Sequence, residues 1–529
     1  MNGNDVISAY KKAKSDRTLW ENHWEEIAER VWPGYAQSFI GKPQQGDKRT
    51  SKALDGLPQT SAETFAKAMM GMITPSGQRW HKVRSTDMSL NRNNRVLKYF
   101  DEVADLLFHY RYLPTANFSS QIFENYLGLG LFGTGCVYLD KHLGGEGGFR
   151  YRAIHLAEMF FVENHQGIID TAYRVFELTT IQMKQKFKNL PKKIIDARPD
   201  EKHCVIHCVK PNDEIDDSRV DYKGMKFYSC YVLEKSGEKI EEGGYDTFPY
   251  LVSRYVTAPG ETYGRSPAMM VLPNIKVLFE QKTAMLKQGH RAVDPIILTA
   301  DDGVLDTFSL VPGSMVPGGM SADGKRLVDV LPTGDLMIND KLMDKERDTI
   351  KDAFLVNMFS ILLETPRMTA TEVLQRTRDK SILLAPTMGR QQTEMLGPMI
   401  DREIGILAEL GLLPKMPPEL IEAQGEYAVV YDSPLSRAAR AEEAQGFMQT
   451  LEMAMGLATA RQDPAPLDWL NEDVAIPAIA EITSTPAAWI RSLDEVEALR
   501  KTRAEMQEAQ MVIQAAPAAA SMMKASNGQ

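Results

Sequence analysis

The stretch YGRSPAMMVLPNIKVLFEQKTAMLKQGHRAVDP, residues 263–295, decides the fold. Ser266 followed by Pro267 is typical of a helix start, because serine caps the first turn and proline is tolerated at the first helical position. Apolar residues recur at three- and four-residue steps from Leu272 to Leu286, and Asp294-Pro295 is a stop signal. The stretch therefore predicts a helix of about 28 residues, or about 42 Å.

A second helix is predicted at 340–363. About 45 residues rich in turn formers, among them Pro317-Gly318-Gly319 and Pro332-Thr333-Gly334, separate it from the first helix. After a short break, Thr369-Ala370-Thr371-Glu372 is typical of a capping box that starts a further helix. Two long helices joined at their far ends by a loop-rich segment indicate a stalk that carries a separate tip.

Composition limits the classes of protein that need to be considered. The chain has 529 residues, 43% of them hydrophobic and 25% charged, which predicts two to four globular units. A net charge of −10 gives no support for general nucleic-acid binding. Four cysteines are too few for a disulfide framework and favour a reducing compartment. Neither a signal peptide nor a membrane-spanning run of apolar residues is expected.

Before the stalk, helical periodicity gives way to strand periodicity. Residues 4–32 predict one amphipathic helix with Trp20 and Trp24 on the same face. Between 136 and 257 the period shifts toward two, and a hairpin is predicted at 227–240. The fold class is therefore α+β and predominantly helical. Further helices in this part are predicted near 59–72, 92–112 and 117–131.

Gly128-Leu129-Gly130-Leu131-Phe132-Gly133 matches the pattern G-x-G-x-x-G. The dinucleotide fingerprint needs a strand before it and a helix after it. Here a helix precedes the glycines, and Cys136-Val137-Tyr138-Leu139 has the composition of a strand. The alternatives are a nucleotide site and a helix-to-strand turn that uses a glycine with positive φ, and the order of the elements favours the turn.

His203-Cys204-Val205-Ile206-His207-Cys208 offers four potential metal ligands in six residues. On a strand the two cysteines face one side and the two histidines face the other, which is awkward for a single tetrahedral site. Reduced cysteines in a sheet are therefore favoured over a metal site. The acidic run at 213–217 lacks the glycine and final glutamate of a calcium loop and is typical of a solvated turn.

The C-terminal third is helical by pattern and acidic. Helical periodicity extends to about Leu413, with an interruption near Pro386, and Leu413-Pro414-Lys415-Met416-Pro417-Pro418 is a stop signal. Residues 411–480 contain 4 Lys or Arg against 11 Asp or Glu. Residues 435–460 and 486–514 are again predicted to be helical, and the low-complexity tail from 515 is predicted to be loose.

Searches for catalytic motifs find none. The sequence contains no G-x-x-x-x-G-K-[ST], no H-E-x-x-H and no G-x-S-x-G. In a chain of this length, that favours a structural or assembly role over an enzyme. No catalytic residue, metal or cofactor is expected.

Four pieces of the sequence occur in an informative order. They are Trp20-x-x-x-Trp24 on a helix that ends near Pro33, Thr74-Pro75 followed by Trp80, Tyr263-Gly264-Arg265-Ser266-Pro267, and Glu364-Thr365-Pro366-Arg367-Met368-Thr369-Ala370-Thr371-Glu372-Val373. On these pieces the chain resembles the portal, or head-to-tail connecting protein, of short-tailed double-stranded DNA bacteriophages. The resemblance covers about residues 15–420 and fades beyond them.

The resemblance implies a cyclic ring, usually of twelve copies, at one vertex of the capsid. DNA would be packaged through the axial channel by a separate terminase and would leave through it into the tail. The implied partners are further copies of the chain, the terminase, a tail adaptor, the major capsid and scaffolding proteins, and double-stranded DNA that passes non-specifically. No membrane is implied, and the expected location is the virion, with the host cytoplasm during assembly.

The family architecture of wing, stem, clip and crown divides the chain into seven segments. The implied segments are 1–262, the N-terminal wing; 263–294, the first stem helix; 295–339, the clip; 340–363, the second stem helix; 364–371, the tunnel loop; 372–430, the long wing helix and return; and 431–529, the crown with a loose tail. A ring closes only if each chain carries two complementary surfaces. Twelve copies at −10 each give −120, a field that disfavours tight contact with phosphate.

The resemblance also implies site residues. The tunnel loop would contain Glu364, Thr365, Pro366, Arg367, Met368 and Thr369, and the clip candidates are Asp301, Asp302, Lys325 and Arg326. Our hypothesis is that Arg367 and the stem lysines Lys276, Lys282 and Lys287 face the channel and make weak contact with DNA. The alternative for these lysines is an ordinary solvated helix face.

Two functions from other classes remain open at this point. One is another phage head–tail structural protein, such as an adaptor or a minor capsid component, and the long stalk with an inserted clip argues against a small adaptor. The other is a DNA-processing enzyme with an unrecognised site. Particle size in negative-stain microscopy separates them, because rings with a central hole support the portal and monomers support the enzyme.

Overall fold

The structure is a computed structural model. It describes residues 2–41, 44, 46, 47, 49, 52–142, 147–216, 218, 219, 221–299, 320, 321, 323–331, 336–358, 386–423, 425–431, 434–463, 465–482, 489, 491, 495–503, 505 and 506. The predicted tunnel loop at 364–371 and the low-complexity tail from 515 lie outside the described residues.

Helices and strands are both abundant, as the α+β prediction requires. The helices of the described ranges are α1 (Gly3–Asp16), α2 (Thr18–Val31), α3 (Leu57–Ile73), α4 (Asn94–Arg111), α5 (Phe118–Phe132), α6 (Thr180–Lys186), α7 (Lys192–Ile195), α8 (Pro267–Val293), α9 (Leu336–Ala353), α10 (Gly397–Glu409), α11 (Pro418–Glu422), α12 (Pro434–Arg461) and α13 (Glu472–Ile482). The strands are β1 (His81–Ser85), β2 (Thr134–Lys141), β3 (Phe149–Ala153), β4 (Met159–Glu163), β5 (Ile169–Thr179), β6 (Lys202–Pro211), β7 (Phe227–Leu233), β8 (Lys239–Tyr245), β9 (Tyr250–Arg254), β10 (Ile297–Thr299), β11 (Val328–Val330) and β12 (Tyr427–Tyr431).

The chain forms two compact units. The larger contains Met1–Ser76, Tyr110–Met368 and Leu384–Leu410, and the smaller contains Gly77–His109, Thr369–Leu383 and Gly411–Gln529. This division differs from the predicted boundary at 262, because residues 77–109 belong with the C-terminal part. The reason is a strand pairing: β1 and β12 form an antiparallel ladder with His81 opposite Tyr431.

The single helix predicted at 4–32 is wrong, since two helices meet at Arg17. The Arg17 side chain is 1% exposed and donates to the backbone oxygens of Leu156 and Ala157 and to the Glu21 carboxylate. Its guanidinium lies 3.7 Å from the centre of the Phe160 ring. Because a buried guanidinium must satisfy several donors at once, the chain bends here to place all of them.

Five antiparallel strands in the order β4-β5-β6-β7-β8 form the main sheet. Helix α1 covers one face, where Val6 and Tyr10 pack with Ile206, Cys208 and Cys230. Helices α6 and α7 cover part of the other face, and the cluster there is Met183, Phe187, Ile194, Val205, Tyr231, Leu233 and Ile240. The predicted hairpin is confirmed, with Phe227 of β7 opposite Tyr245 of β8.

The prediction that His207 and Cys208 lie on opposite faces of their strand is also confirmed. The two ring nitrogens of His207 lie 2.6 Å from the Tyr250 hydroxyl and 2.9 Å from the Ser229 hydroxyl. Cys208 lies beside Cys230 on the face covered by α1. In the described part of the chain, no three His, Cys, Asp or Glu side chains gather closely enough to hold a metal ion.

A second sheet, in the order β3-β2-β9, follows α5. Gly133 ends this helix with φ +74°, in the left-handed region that favours glycine. The helix-to-strand turn that the order of elements predicts around Gly133 is therefore confirmed.

The first long helix is confirmed at Pro267–Val293, but the second is wrong at both ends. It begins at Leu336 rather than 340 and ends at Ala353 rather than 363. Leu355 has φ +60°, a left-handed conformation that a continuous right-handed helix cannot contain. Residues 356–358 are helical again, and 359–363 lie outside the described residues.

The smaller unit combines the β1–β12 ladder with helices. Trp80 is fully buried, and its ring lies 5.9 Å from that of Phe108 on α4. Helix α12 confirms the helix predicted at 435–460. Trp469, just after α12, is 90% exposed.

Candidate functional site: the helical hairpin and its anchors

The candidate site is the helical hairpin, which consists of α8, β10, β11 and α9. Strands β10 and β11 pair antiparallel, with Ile297 opposite Val330. Further along the helices, the Asn274 amide donates to the Glu346 carboxylate at 2.8 Å. Helix α9 therefore runs back along α8, and the two helices form an antiparallel pair. At 27 residues α8 is about 40 Å long.

Two motifs of the sequence meet where α8 begins. The Ser266 hydroxyl accepts from the Met269 N–H at 3.0 Å, which caps the helix, and donates to the Leu131 carbonyl of α5 at 2.8 Å. Gly133 and Gly264 approach so closely that a Cβ on Gly133 would lie 2.2 Å from the Gly264 oxygen. The final glycine of the G-x-G-x-x-G pattern thus gives room for the backbone that leads into α8.

Aromatic rings hold this start in place. The Tyr263 ring lies edge-on to that of Trp24 at 5.1 Å and 6.0 Å from that of Trp20. The Tyr263 hydroxyl accepts from the Phe161 N–H at 3.2 Å, and the Trp24 indole donates to the Phe132 carbonyl at 3.1 Å. The Trp20-x-x-x-Trp24 motif therefore packs directly on the Tyr263–Pro267 motif, and the Tyr263 and Trp24 rings also have polar anchors.

Helix α8 has a buried base and an exposed outer half. In the base, one side of the helix is buried, with Ile275 and Leu278 fully covered, while Met270 and Val277 on another side are 54% and 42% exposed. In the outer half, Leu286 is 53% exposed and Val293 is 87% exposed. The hairpin therefore emerges from the larger unit along its length, with apolar side chains still uncovered at the far end.

Helix α9 is attached to the unit on one side only. Met343 and Ile350 are buried, whereas Leu342 is 50% exposed. The Arg347 guanidinium binds the Asp55 carboxylate at 2.9 Å. Burial raises the pKa of Asp55, but the Leu57 N–H and the Arg347 guanidinium outweigh it and hold that pKa below its usual range.

The three candidate lysines have different environments. The Lys276 ammonium lies 2.7 Å from the Glu26 carboxylate of α2. Burial raises the pKa of Glu26, but the hydrogen bond and charge of Lys276 outweigh it, so the pKa is lower than usual. Lys282 is half-buried and close enough to Asp55 to lower its pKa, and Lys287 is exposed.

The tip of the hairpin has few described residues. Lys325 and Arg326 are exposed in a turn that is closed by a bridge between Met320 and Arg326. Leu298 and Val330 on the two strands are each 47% exposed. The other predicted site residues lie outside the described residues; they are Asp301, Asp302, Glu364, Thr365, Pro366, Arg367, Met368 and Thr369.

A buried ion pair in the larger unit was not predicted from the sequence. Arg111 and Glu403 are both 0% exposed, and the Arg111 Nε donates to a Glu403 oxygen at 2.9 Å. The Tyr151 hydroxyl donates to the same carboxylate. These residues come from three distant parts of the chain, so no local pattern could have indicated the contact.

A second unforeseen cluster lies at the π-helical turn Gln392–Leu396 before α10. This turn places Glu394, whose carboxylate binds the Arg254 guanidinium at 2.8 Å. Arg254 also donates to Glu163 and to the Gly167 carbonyl. The cluster lines an open cleft of about 680 Å³ that also contains Arg390. Its charges are paired across the cleft, which fixes the end of β9 against the helix.

The part of the chain that the structure describes contains no helix that is both long and apolar enough to cross a membrane.

A family model described as bacteriophage head to tail connecting protein matches residues 4–490. The chain therefore belongs to this family, and the family resemblance found in the sequence is confirmed.

Two curated relatives match over nearly the whole chain. The "Probable portal protein" of Bordetella phage BPP-1 is 26% identical over 530 residues, which cover 95% of this chain and 91% of the relative. The "Portal protein" of Salmonella phage epsilon15 is 25% identical over 531 residues, which cover 97% and 93%. A solved chain from the virion of a native gene transfer agent particle covers 75% of this chain with 11% identity and a TM-score of 0.35, too low to support a structural argument.

Proposed function

We propose that this chain is a portal protein, which forms a ring at one capsid vertex and provides the channel for DNA packaging and ejection. Two relatives with the name portal protein are similar over more than nine-tenths of this chain. In this proposal α8 and α9 are the stem, the segment between them is the clip, and residues 364–371 are the tunnel loop. The remaining parts form the wing and the crown. The role requires no chemistry by the chain itself.

The observation that carries this proposal is the uneven burial of the hairpin. Its base is fixed in the larger unit by Tyr263, Ser266 and Ile275, whereas Leu286 and Val293 remain exposed. Apolar surface in a row along a long helix favours contact with another protein surface. A ring of identical chains supplies that surface repeatedly, because each copy presents one side to the next copy.

The environments of the candidate lysines differ in how available each side chain is for contact with DNA. Lys276 is already bound to Glu26 within the chain, so a free phosphate would compete with that carboxylate. Lys287 is exposed, and Lys282 is half-buried near Asp55. Lys282 lies one turn before Leu286 on the same side of α8, whereas Lys287 is on a different side. In our proposal Lys287 and Arg367 face the DNA, and the net charge of −10 per chain keeps these contacts weak.

The proposed partners are those that the family resemblance implies. The exposed turn with Lys325 and Arg326 is at the hairpin's far end, where the terminase and then the tail adaptor would dock. Capsid and scaffolding proteins would contact the wing and the crown. The chain would be found at one vertex of the virion, after assembly in the host cytoplasm.

The proposal is tested by the size and shape of the purified full-length protein. Native mass spectrometry and negative-stain microscopy should show a closed ring, of about twelve copies by the family resemblance, with a central hole. Leu286→Ala should weaken the ring, and Lys188→Gln, at an exposed site distant in sequence from the hairpin, should leave it unchanged. Monomers at all concentrations, in the presence of the other head proteins as well, would refute the proposal.

The tunnel loop has its own test. Arg367→Gln should change DNA packaging or retention in phage particles while rings still form. If this variant abolished the ring itself, the assignment of residues 364–371 to a loop in the channel would be wrong.

A further inference from the structure

One face of the five-stranded sheet carries a row of polar and aromatic residues. In the strand register, Arg174 of β5 lies opposite His207 of β6, and His207 lies opposite Tyr231 of β7. The His207 and Tyr231 rings are stacked, with centroids 4.1 Å apart and an interplanar angle of 4°. The row is thus a rigid platform with a guanidinium at one end.

A lysine from α6 lies above this platform. The Lys186 ammonium donates to the Tyr231 hydroxyl at 3.1 Å and lies 4.2 Å from the centre of that ring. Phe176 is between the two cations, since its ring centre is 4.4 Å from the Arg174 guanidinium and 5.5 Å from the Lys186 ammonium. Two positive charges therefore share one aromatic side chain.

A third cation comes from the neighbouring sheet. Arg152 on β3 lies opposite Tyr138 on β2, and the Tyr138 ring is 6.3 Å from that of His207. Arg152 is also near enough to Arg174 and Lys186 for their charges to interact. We call Arg152, Arg174 and Lys186 the cationic cluster.

Two of the three cations in the cationic cluster, Arg152 and Lys186, have no direct ion-pair partner among the described residues. The third, Arg174, binds Glu158 at 3.0 Å. Desolvation by the protein atoms packed around its ammonium, followed by the charge of Arg174, lowers the pKa of Lys186 to about 8, although the residue as a whole is exposed. The same two causes lower the pKa of Arg152 from its ordinary value. His207 adds no charge, because burial and the nearby cations hold its pKa well below 6.5.

We propose that the cationic cluster binds a carboxylate group on an acidic segment of a protein partner. Arg174 and Lys186 lie against Phe176, Lys186 also lies against Tyr231, and Arg152 is near enough for its charge to act on Lys186. The two rings offer apolar contact to the chain that carries the carboxylate. The positive region is narrow, because Glu158, Glu241 and Asp140 surround it. A single carboxylate can enter without meeting these acids, whereas a polynucleotide has a phosphate at every step and would be repelled by them.

The test uses purified full-length protein at low ionic strength and two probes, an acetylated and amidated Gly-Gly-Glu-Gly-Gly peptide with one carboxylate and a six-nucleotide thymidine oligomer. Calorimetry should detect binding of the peptide to the wild type. Arg152→Gln and Lys186→Gln should each weaken that binding at least tenfold. The matched controls are Arg150→Gln on the same strand and Lys188→Gln just after the same helix, which are exposed and should change it less than twofold.

A second readout does not depend on folding defects. The lowered pKa makes the Lys186 amine reactive toward an acylating reagent at pH 8, and bound peptide should suppress its labelling several-fold while labelling of Lys188 stays constant. Arg152→Gln should leave the melting temperature of the unliganded protein equal or higher, since it removes a like charge.

Three results would overturn the proposal. They are absence of peptide binding to the wild type, an equal loss of binding in the control variants, and binding of the oligonucleotide as tight as that of the peptide. The last result would assign the cationic cluster to nucleic acid.

Discussion

The interior around Glu403 and the outer half of the hairpin differ in whether their side chains find their interaction partners within the same chain. Around Glu403, charged side chains are fully buried and bound to partners in the same chain. In the outer half of α8, the apolar residues Leu286 and Val293 are exposed. A buried charge is tolerated only when its partner is in place, so all interactions of the interior are formed once the single chain has folded. Exposed apolar side chains in a row are removed from water only when another protein surface covers them.

The difference shows where mutations should act. Changes in the interior should reduce the stability of each subunit and should do so at any protein concentration. Changes in the outer half should leave the subunit stable and should affect assembly. Four variants or conditions test this contrast, and their expected effects decrease from about 4 kcal/mol to below 1 kcal/mol.

The largest effect is expected for Glu403→Gln. The substitution keeps the shape but leaves the Arg111 guanidinium buried without a counter-charge, which costs about 3–5 kcal/mol. Urea unfolding followed by fluorescence should show a large decrease in the midpoint. The control is Glu409→Gln on the same helix, whose partner Lys141 is 42% exposed, and this variant should lose less than about 1 kcal/mol. Equal effects of the two variants would contradict the contrast between buried and exposed charges.

The second effect compares two leucines of α8. Leu278→Ala in the buried base should cost about 3 kcal/mol, from lost burial and a residual cavity. Leu286→Ala in the outer half should change the unfolding free energy by less than about 0.5 kcal/mol. Sedimentation velocity should show the reverse order for assembly, with smaller species for Leu286→Ala at concentrations where the wild type is assembled. A large loss of subunit stability in Leu286→Ala would show that the outer half is packed within its own chain.

The third effect is a pH dependence of the interior. Burial, with the charges of Arg49 and Arg17, lowers the pKa of His155 to about 4. The unfolded chain therefore binds a proton below about pH 6.5 that the folded chain does not bind, so stability falls as the pH decreases from 6.5 toward 4. His155 alone should account for about 2 kcal/mol between pH 6.5 and 5. Below about pH 4 its contribution to the slope ends.

Unfolding midpoints at several pH values measure this slope. The unfolding midpoint of His155→Phe should depend less on pH than that of the wild type between pH 6.5 and 5. His165→Gln, at an exposed position, should have the wild-type slope. The same slope in all three proteins would mean that His155 is accessible to protons in the folded state.

The smallest effect is expected at the ion pair between Lys276 and Glu26. Both side chains are partly exposed, so Lys276→Gln should cost less than about 1 kcal/mol, and the difference should shrink in high salt. Lys287→Gln should have no measurable effect on stability. Differential scanning calorimetry at two ionic strengths gives the comparison. If Lys287→Gln destabilised the subunit as much as Lys276→Gln does, the outer half would have a charge partner in its own chain.

Local signals predicted much of the fold. Ser266-Pro267 and Asp294-Pro295 bracket α8 within a residue of its observed ends, because capping and stop signals act over one helical turn. The turn at Gly133 was predictable for the same reason. The end of α9 was not, since no local signal marks the left-handed conformation of Leu355.

Contacts between residues far apart in the chain could not be predicted from sequence patterns. Arg111 and Glu403 are 292 residues apart, and nothing near either residue identifies the other. The break at Arg17 has the same origin, because its acceptors are the backbone oxygens of residues 156, 157 and 159. The periodicity at 4–32 is continuous, so only the tertiary partners of Arg17 explain two helices in place of one.

The pairing of β1 with β12 has a consequence for biosynthesis. The ribosome must add more than 300 residues after Ser85 before Tyr427 emerges, which takes about 15–70 s at about 5–20 residues per second. During that time β1 is a nascent strand without its ladder, and such edges recruit other chains. Its inward residues alternate with Lys82 and Arg84. We expect these cations to act as gatekeepers that disfavour aggregation of the nascent strand until β12 has been synthesised.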